Sequence, residues 1–370
     1  MEKAIYVVKP SLPPLEEFAE EIRDMWETGI MTNQGPKHNK FQAELERFME
    51  IPNVTLFANG HLALELGLES QGMEGEVITT PFTFASTTQA ILRNKLKPVF
   101  CDIKNEDYTI DCDMLETLIT EHTCAIVPVH VFGKICDVER IQKIAERYQL
   151  NVIYDAAHAF GELYKGKHIA QYGDMSMFSF HATKVLNTVE GGCLAYKDDS
   201  KTQYLEGLRQ FGQIVSTDSV PYIGTNAKMT DMHAAMGLCN LRHIHEYVQK
   251  RKMVTERYTE KLSGIEGIRL NRVQKDVVSN YAYYPVVFEE KNTGITRDMV
   301  MDKLSRHNIF ARKYFYPLCS EFECCKEMGI QADVPVAKYI SERVLTLPCY
   351  SDLALEDVDN ICEIIRSLYV

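Results

Sequence analysis

Asn151-Val152-Ile153-Tyr154-Asp155-Ala156-Ala157-His158-Ala159-Phe160-Gly161 decides how this chain folds. Its first five residues form a short apolar run that ends on an acid, and a turn of small residues follows. The run shows no polar alternation, so both of its faces are expected to be buried. An amphipathic helix at about 138–149 precedes it. Working outward, the same grammar repeats. Strand-like runs occur at 55–58, 76–80, 98–102 and 124–131, with a helix at about 61–70. Buried strands flanked by helices make the fold class α/β, with a mainly parallel sheet covered on both sides.

In such sheets ligands gather beyond the carboxyl ends of the strands. Those ends read Asn59-Gly60, Pro81-Phe82-Thr83-Phe84, His130-Val131-Phe132-Gly133 and Asp155-Ala156-Ala157-His158. After about residue 230 the pattern changes to helices at 231–241 and 243–262, a strand-like run at 280–288, and helices at 297–307 and 356–368. Residues 1–245 are therefore expected to form a large domain and 246–370 a smaller α+β domain. No repeat, low-complexity tract or Gly/Ser linker separates them.

The bulk properties exclude more than they select. The 370 residues carry a net charge of −12 with a pI near 5.5, which argues against general binding to nucleic acid or to an anionic membrane. Eleven cysteines, without a C-x-x-C pair, offer neither a disulfide framework nor zinc-ligand spacing. They read as buried thiols in a reducing cytoplasm. The N-terminal Met1-Glu2-Lys3-Ala4-Ile5-Tyr6-Val7-Val8-Lys9-Pro10 is too interrupted for a signal peptide, and no stretch reaches the roughly 20 apolar residues of a membrane span.

The chemistry is concentrated at Ser179-Phe180-His181-Ala182-Thr183-Lys184, followed by Glu190-Gly191-Gly192. Most lysines are solvated surface residues. Lys184 instead lies between Met175, Met177, Phe178 and Phe180 on one side and Val185 and Leu186 on the other. An acid at a strand end and a lysine in a hydroxyl-rich turn suit pyridoxal 5'-phosphate (PLP). The lysine forms an imine with it, the acid holds its pyridine nitrogen protonated, and small hydroxyl residues grip its phosphate. Asp155 alone would read as a turn former or helix cap; beside Lys184 it reads as catalytic. His158, alternatively a core histidine, would support it. Gly60 and His61 open a helix directly after a strand, where backbone amides suit an anion, and Ser179 would complete that cup. Phe84 is by default a core aromatic, and its functional role would be to stack on the cofactor ring. Gly161-Glu162-Leu163-Tyr164-Lys165-Gly166-Lys167-His168 mimics a P-loop, but His168 replaces the required hydroxyl and no helix follows. A hairpin turning at Lys165-Gly166-Lys167 is expected there.

Taken in order, these motifs resemble the sugar-nucleotide aminotransferases of DegT/StrS type, within the fold-type I PLP enzymes. Gly35-Pro36, Asn59-Gly60-His61-Leu62-Ala63-Leu64 and Gly224-Thr225-Asn226-Ala227-Lys228-Met229 add to the likeness, which runs from about Thr32 to Leu241 and continues more weakly beyond. The resemblance implies a homodimer with shared active sites. Lys184 would be the cofactor lysine and acid/base, Asp155 and His158 its catalytic partners, and Phe84 and Ala157 the two sides of a ring sandwich. Gly60, His61 and Ser179 would hold the phosphate, with Asn226 reaching over from the neighbouring subunit. Lys228, Arg312 and Tyr314 would face the substrate, a nucleotide-linked keto sugar, with L-glutamate as amino donor and no metal. Two positions depart from the pattern: His61 stands where a hydroxyl residue is usual, and Lys228 where arginine is common. The Ser-Phe-His-x-x-Lys form resembles the branch that aminates C4, acting on dTDP-4-keto-6-deoxy-D-glucose for deoxyaminosugars of O-antigen or cell-surface glycans. The alternatives are a C3 aminotransferase on the same fold and a non-catalytic binding or regulatory protein, which the presence of Lys184 disfavours. A sugar dehydratase is disfavoured for the same reason.

Overall fold

The computed structural model describes residues 4–369. Met1, Glu2 and Lys3, part of the segment weighed above as a leader, lie outside the described residues. A seven-stranded sheet forms the centre of the larger unit. Its order is Asn53–Phe57, Gly192–Tyr196, Met175–Ser179, Asn151–Asp155, Thr123–Val127, Glu76–Thr79 and Lys97–Phe100. All pairings are parallel except the two made by Gly192–Tyr196, which runs antiparallel to both neighbours. The strand Thr123–Val127 stops short of the expected 131, because Pro128 cannot donate to the ladder. Only an isolated bridge, Val129 with Asp155, continues it.

The reversed strand matters for function. It places Gly192 opposite both Phe57 and Ser179. The loop of residues 180–191 is thereby held over the carboxyl edge of the sheet. Backbone bonds from Phe180 N–H to Gly191 O (2.8 Å), Ala182 N–H to Val189 O (2.8 Å) and Thr188 N–H to Phe180 O (2.9 Å) close it.

One helix pair supports the sheet from behind. Helix Pro36–Met49 packs on helix Asp231–Arg242. Asp231 is fully buried and accepts the N–H groups of Gly35 (2.9 Å) and His38 (2.8 Å), capping the first helix from the second. Gly237 lets the two helices approach, since a Cβ there would stand 2.5 Å from the Phe41 ring.

A second hydrophobic core lies between the long helix Ile244–Leu262, helices Arg297–Ser305 and Leu355–Arg366, and the antiparallel sheet of Ile268–Leu270, Tyr284–Phe288 and Val344–Leu347. Ile5 of the N-terminal strand joins this core by pairing with Ile309. Conversely, Phe315, Leu318, Cys325 and Ile340 return to the larger core. The strand expected from 280 begins only at Tyr284, and residues 279–283 form an irregular segment beside the larger sheet. The P-loop mimic is a hairpin, Leu163–Tyr164 against Lys167–His168. Lys165 (φ 50°) and Gly166 (φ 77°) form the tight turn that this handedness demands. All eleven cysteines are unpaired, and among the described residues no helix is long and apolar enough to cross a membrane.

Gly237→Ala should destabilise the fold by about 1–3 kcal/mol through overpacking against Phe41, although alanine is the better helix former by about 1 kcal/mol. Urea denaturation followed by circular dichroism checks this. A stability gain would show that the helices part more easily than the contact implies.

Candidate active site

Nearly every residue singled out from the sequence lines one cleft of about 630 Å³ at the carboxyl edge of the large sheet. Gly60, His61, Phe84, Asp155, Ala157, His158, Ser179, Lys184, Arg312 and Tyr314 are all on its wall. Asn226 and Lys228 are not. They lie apart from it, exposed or partly exposed, with Lys228 Nζ donating to Asn226 Oδ1 at 2.7 Å.

Asp155 is buried at the end of its strand, 4% exposed. Its Oδ2 accepts the hydroxyl hydrogen of Thr87 at 2.7 Å, and its Oδ1 accepts the Ala157 N–H at 3.1 Å. Burial pushes its pKa up, while Thr87, Ala157 and the nearby Lys184 charge pull it back. Such a carboxylate gains strongly from any cation placed against it.

His158 is buried too. Its Nδ1 accepts the Phe132 N–H at 3.0 Å, so the neutral ring carries its hydrogen on Nε2. Burial, with Lys184 adding to the effect, pushes its pKa well below the usual range, which keeps it neutral. The ring stacks with Phe132 and Phe315.

The anion corner is built from backbone. Asn59 caps helix Gly60–Glu69 by accepting the Leu62 N–H at 2.9 Å. A Cβ on Gly60 would stand 2.9 Å from Ser179 Cβ, and one on Gly192 would stand 2.5 Å from the Gly60 nitrogen. Helix start, Ser179 and the reversed strand thus meet without room for a side chain between them. The His61 ring turns away from the backbone corner, with Nδ1 2.9 Å from Ser86 Oγ and Nε2 3.4 Å from Glu65.

Lys184 Nζ lies 3.2 Å from Tyr283 Oη. Below it Phe180, Val185 and Leu186 are buried. The loop is pinned further by Asn187 Nδ2 to Ser11 O (2.8 Å) and Asn240 Nδ2 to Asn187 O (2.9 Å).

Thr87 and Tyr283 were not found by reading the sequence. Thr87 is one turn past the Phe84 strand-end signal, inside a helix whose hydroxyls carry no distinctive spacing. Tyr283 lies in Asn280-Tyr281-Ala282-Tyr283-Tyr284, which reads as an ordinary strand.

The donor set fits PLP. A buried carboxylate, a lysine lining the same cleft, and a side-chain-free backbone corner at a helix start answer its ring nitrogen, aldehyde and phosphate. The sheet order with one reversed strand, plus a smaller α+β unit, is the fold-type I architecture of PLP enzymes. A model of the DegT/DnrJ/EryC1/StrS aminotransferase family matches residues 15–366, and the chain belongs to that family. It is a PLP-dependent aminotransferase. Among its relatives, the dTDP-4-amino-4,6-dideoxy-D-glucose transaminase of Shigella dysenteriae is 39% identical over 368 residues, covering 100% of both chains. Among solved structures, DesI in the presence of its TDP-sugar product superimposes with a TM-score of 0.94 at 30% identity, covering 99% of this chain and 93% of that one. Helicobacter pylori PseC, an aminotransferase involved in pseudoaminic acid biosynthesis, gives 0.93 at 27% identity, covering 99% of each.

A buried acid beneath the cleft carries a pH prediction. Glu162 is fully buried, its Oε1 accepting the Asn280 N–H at 3.3 Å and its Oε2 having no partner among the described residues. Burial pushes its pKa up to about 8. Between its unfolded value of about 4.3 and 8, the folded chain holds a proton that the unfolded chain has released. Stability from this group is therefore full at low pH and declines as pH rises through that window. Glu162→Gln lacks the titration, so relative to the parent it should gain at least about 1 kcal/mol between pH 5 and pH 8. Urea melts of both proteins at the two pH values test it; parallel pH dependences would refute it.

Proposed function

We propose that this aminotransferase moves an amino group from L-glutamate to C4 of a nucleotide-linked 4-keto-6-deoxy sugar, dTDP-4-keto-6-deoxy-D-glucose first among them. The observation that carries this is the full-length likeness to a transaminase of the corresponding 4-amino sugar, joined to a cleft whose volume suits cofactor plus sugar. The product would serve deoxyaminosugar assembly, as in O-antigen or other surface glycans, in the cytoplasm.

PLP, when bound, supplies an electron sink for loss of a proton from the carbon bearing the amino group. The protein's part is positional and acid–base. Asp155 would hold a cationic ring nitrogen, with Thr87 and the Ala157 amide fixing the carboxylate's direction. His158 presents Nε2–H as a donor, since Phe132 occupies its other nitrogen. The Gly60 and His61 amides and the Ser179 hydroxyl would receive the phosphate. Phe84 and Ala157 would flank the ring. Lys184 Nζ would take the proton from the donor's amino-bearing carbon and pass it to the cofactor's carbonyl carbon, and would carry a proton the opposite way onto the sugar's C4, a step worth about 10²–10⁴-fold. Arg312 and Tyr314 face the sugar nucleotide from the cleft mouth.

The same reading makes the working unit a homodimer. Asn226 and Lys228 lie off their own cleft. Val220 and Ile223 of the same segment are 66% and 93% exposed, and Phe211 presents its ring beneath Lys228 Nζ, 4.6 Å from the ring centre. Such a loop suits insertion into a second copy, with Asn226 reaching that copy's phosphate corner and Lys228 its substrate.

Three experiments test these assignments. Incubation with glutamate and a panel of 4-keto and 3-keto sugar nucleotides should give a 4-amino product by NMR; a 3-amino product moves the protein to the C3 branch. Asp155→Asn should retain the cofactor, which borohydride should fix to Lys184 as judged by mass spectrometry, and lose at least about 10²-fold in turnover. Near-parental turnover would reduce Asp155 to a turn residue. Mixing inactive Lys184→Ala with inactive Asn226→Asp subunits, with exchange verified by differential tags, should restore up to about a quarter of parental activity, because one site per mixed dimer is intact. Verified heterodimers that stay inactive would refute the shared site.

A further inference from the structure

Tyr283 comes from the smaller unit's side of the cleft, yet its Oη lies 3.2 Å from Lys184 Nζ, with the amine 5.6 Å from the ring centre. The segment that delivers it is tied down at every step. Asn280 Nδ2 donates to His158 O (2.8 Å) and Phe160 O (3.0 Å), and its Oδ1 accepts the Ala282 N–H (2.9 Å). The Asn280 N–H donates to the buried Glu162, and Arg251 Nη1 donates to Ala282 O at 3.3 Å. Arg251 is itself fully buried and also donates to Cys349 O at 2.9 Å, so the tether reaches the second core. The next residue enters the strand Tyr284–Phe288. The Tyr283 ring is wedged against His158 (4.5 Å between centres), Phe132 (6.1 Å) and Tyr314 (6.1 Å).

A phenol held this firmly has one free polar atom, and that atom meets the reacting amine. Packing alone would be met as well by phenylalanine. A lysine side chain has four rotatable carbon bonds and must be held in place to move a proton reproducibly. We propose that Tyr283 is a positioning residue of the amino transfer, its hydroxyl holding the Lys184 amine at the proton-transfer position. This rests on the proton-carrying role assigned to Lys184 above. Toward an ammonium the phenol oxygen accepts a hydrogen bond, and toward a neutral amine it donates one. No proton is gained or lost by Tyr283: the proton that Nζ takes from the donor's carbon is the one it passes on to the cofactor's carbonyl carbon.

The test uses the full-length holoenzyme and its apo form, comparing Tyr283→Phe with the parent and with Lys184→Ala. Tyr283→Phe should melt at the parental temperature and retain the cofactor. In single turnover with glutamate it should be about 10–100-fold slower, with a larger isotope effect from α-deuterated glutamate. In the apo enzyme, acylation of Lys184 by acetic anhydride, read by mass spectrometry, should be about three- to tenfold faster, because the amine has lost its hydrogen-bond partner. Tyr283→His, which keeps a ring and a donor, should recover part of the lost rate. A half-reaction within twofold of the parent with an unchanged isotope effect would overturn the proposal. So would a slower rate that merely tracks a lower melting temperature, with the isotope effect and acylation unchanged. Should Lys184→Ala turn over normally, the lysine assignment itself fails; an inactive Lys184→Ala beside a parental Tyr283→Phe sinks only the tyrosine.

Discussion

The Gly60 nitrogen, the start of the Gly192 strand and the Ser179 backbone meet so closely that no Cβ fits between them. That contact follows from one reversed strand in an otherwise parallel sheet. Two consequences flow from it. The first turn of a helix is left with bare N–H groups facing a cleft, which is an anion site by construction. And the connection from Ser179 back to Gly192 must double over the sheet edge, which is where Lys184 is carried. The candidate anion corner and the position of Lys184 are thus set by the same backbone approach.

Around this frame buried ionisable groups are held by local partners only in part: Glu162 Oε2 and the Nε and Nη2 of Arg251 meet none among the described residues. Asp155 is held by Thr87 and the Ala157 amide, and its remaining demand for a cation is what a PLP site uses. Burial raises the Glu162 pKa to about 8, while Arg251 donates to two carbonyls, and both support the segment that ends at Tyr283. Buried polar groups of this kind cost about 1–3 kcal/mol each when left unpaired. The segment of residues 279–283 is therefore anchored through Asn280 to the turn that follows Asp155, and His158, Tyr283 and Lys184 are held in contact.

Much of this was legible in the chain itself. Apolar runs ending on Asn59-Gly60 and Asp155-Ala156-Ala157-His158 announce a buried sheet and its ligand-binding edge, because strand burial and turn chemistry are local properties. Lys184 among apolar neighbours, and the hairpin turn at Lys165-Gly166, are local in the same sense. The strand Gly192–Tyr196 was not found by reading the sequence. A strand buried on both faces has the same apolar pattern whether it runs with or against its neighbours, so its reversal is invisible to periodicity.

What the tertiary structure alone decided is which distant groups meet. Thr87 reaches Asp155 from a neighbouring helix, Asp231 caps a helix that begins nearly two hundred residues earlier, and Tyr283 arrives from beyond the long Ile244–Leu262 helix to touch Lys184. Residues 280–283 have strand composition, yet Asn280 spends its hydrogen bonds on the His158–Phe160 turn instead of a ladder. The sequence by itself determined the α/β sheet, its active edge and the acid–lysine pair, since each depends on neighbours a few residues away. The partners of that pair were decided by packing, because a hydrogen bond across the fold leaves no period or spacing in either of the segments it joins.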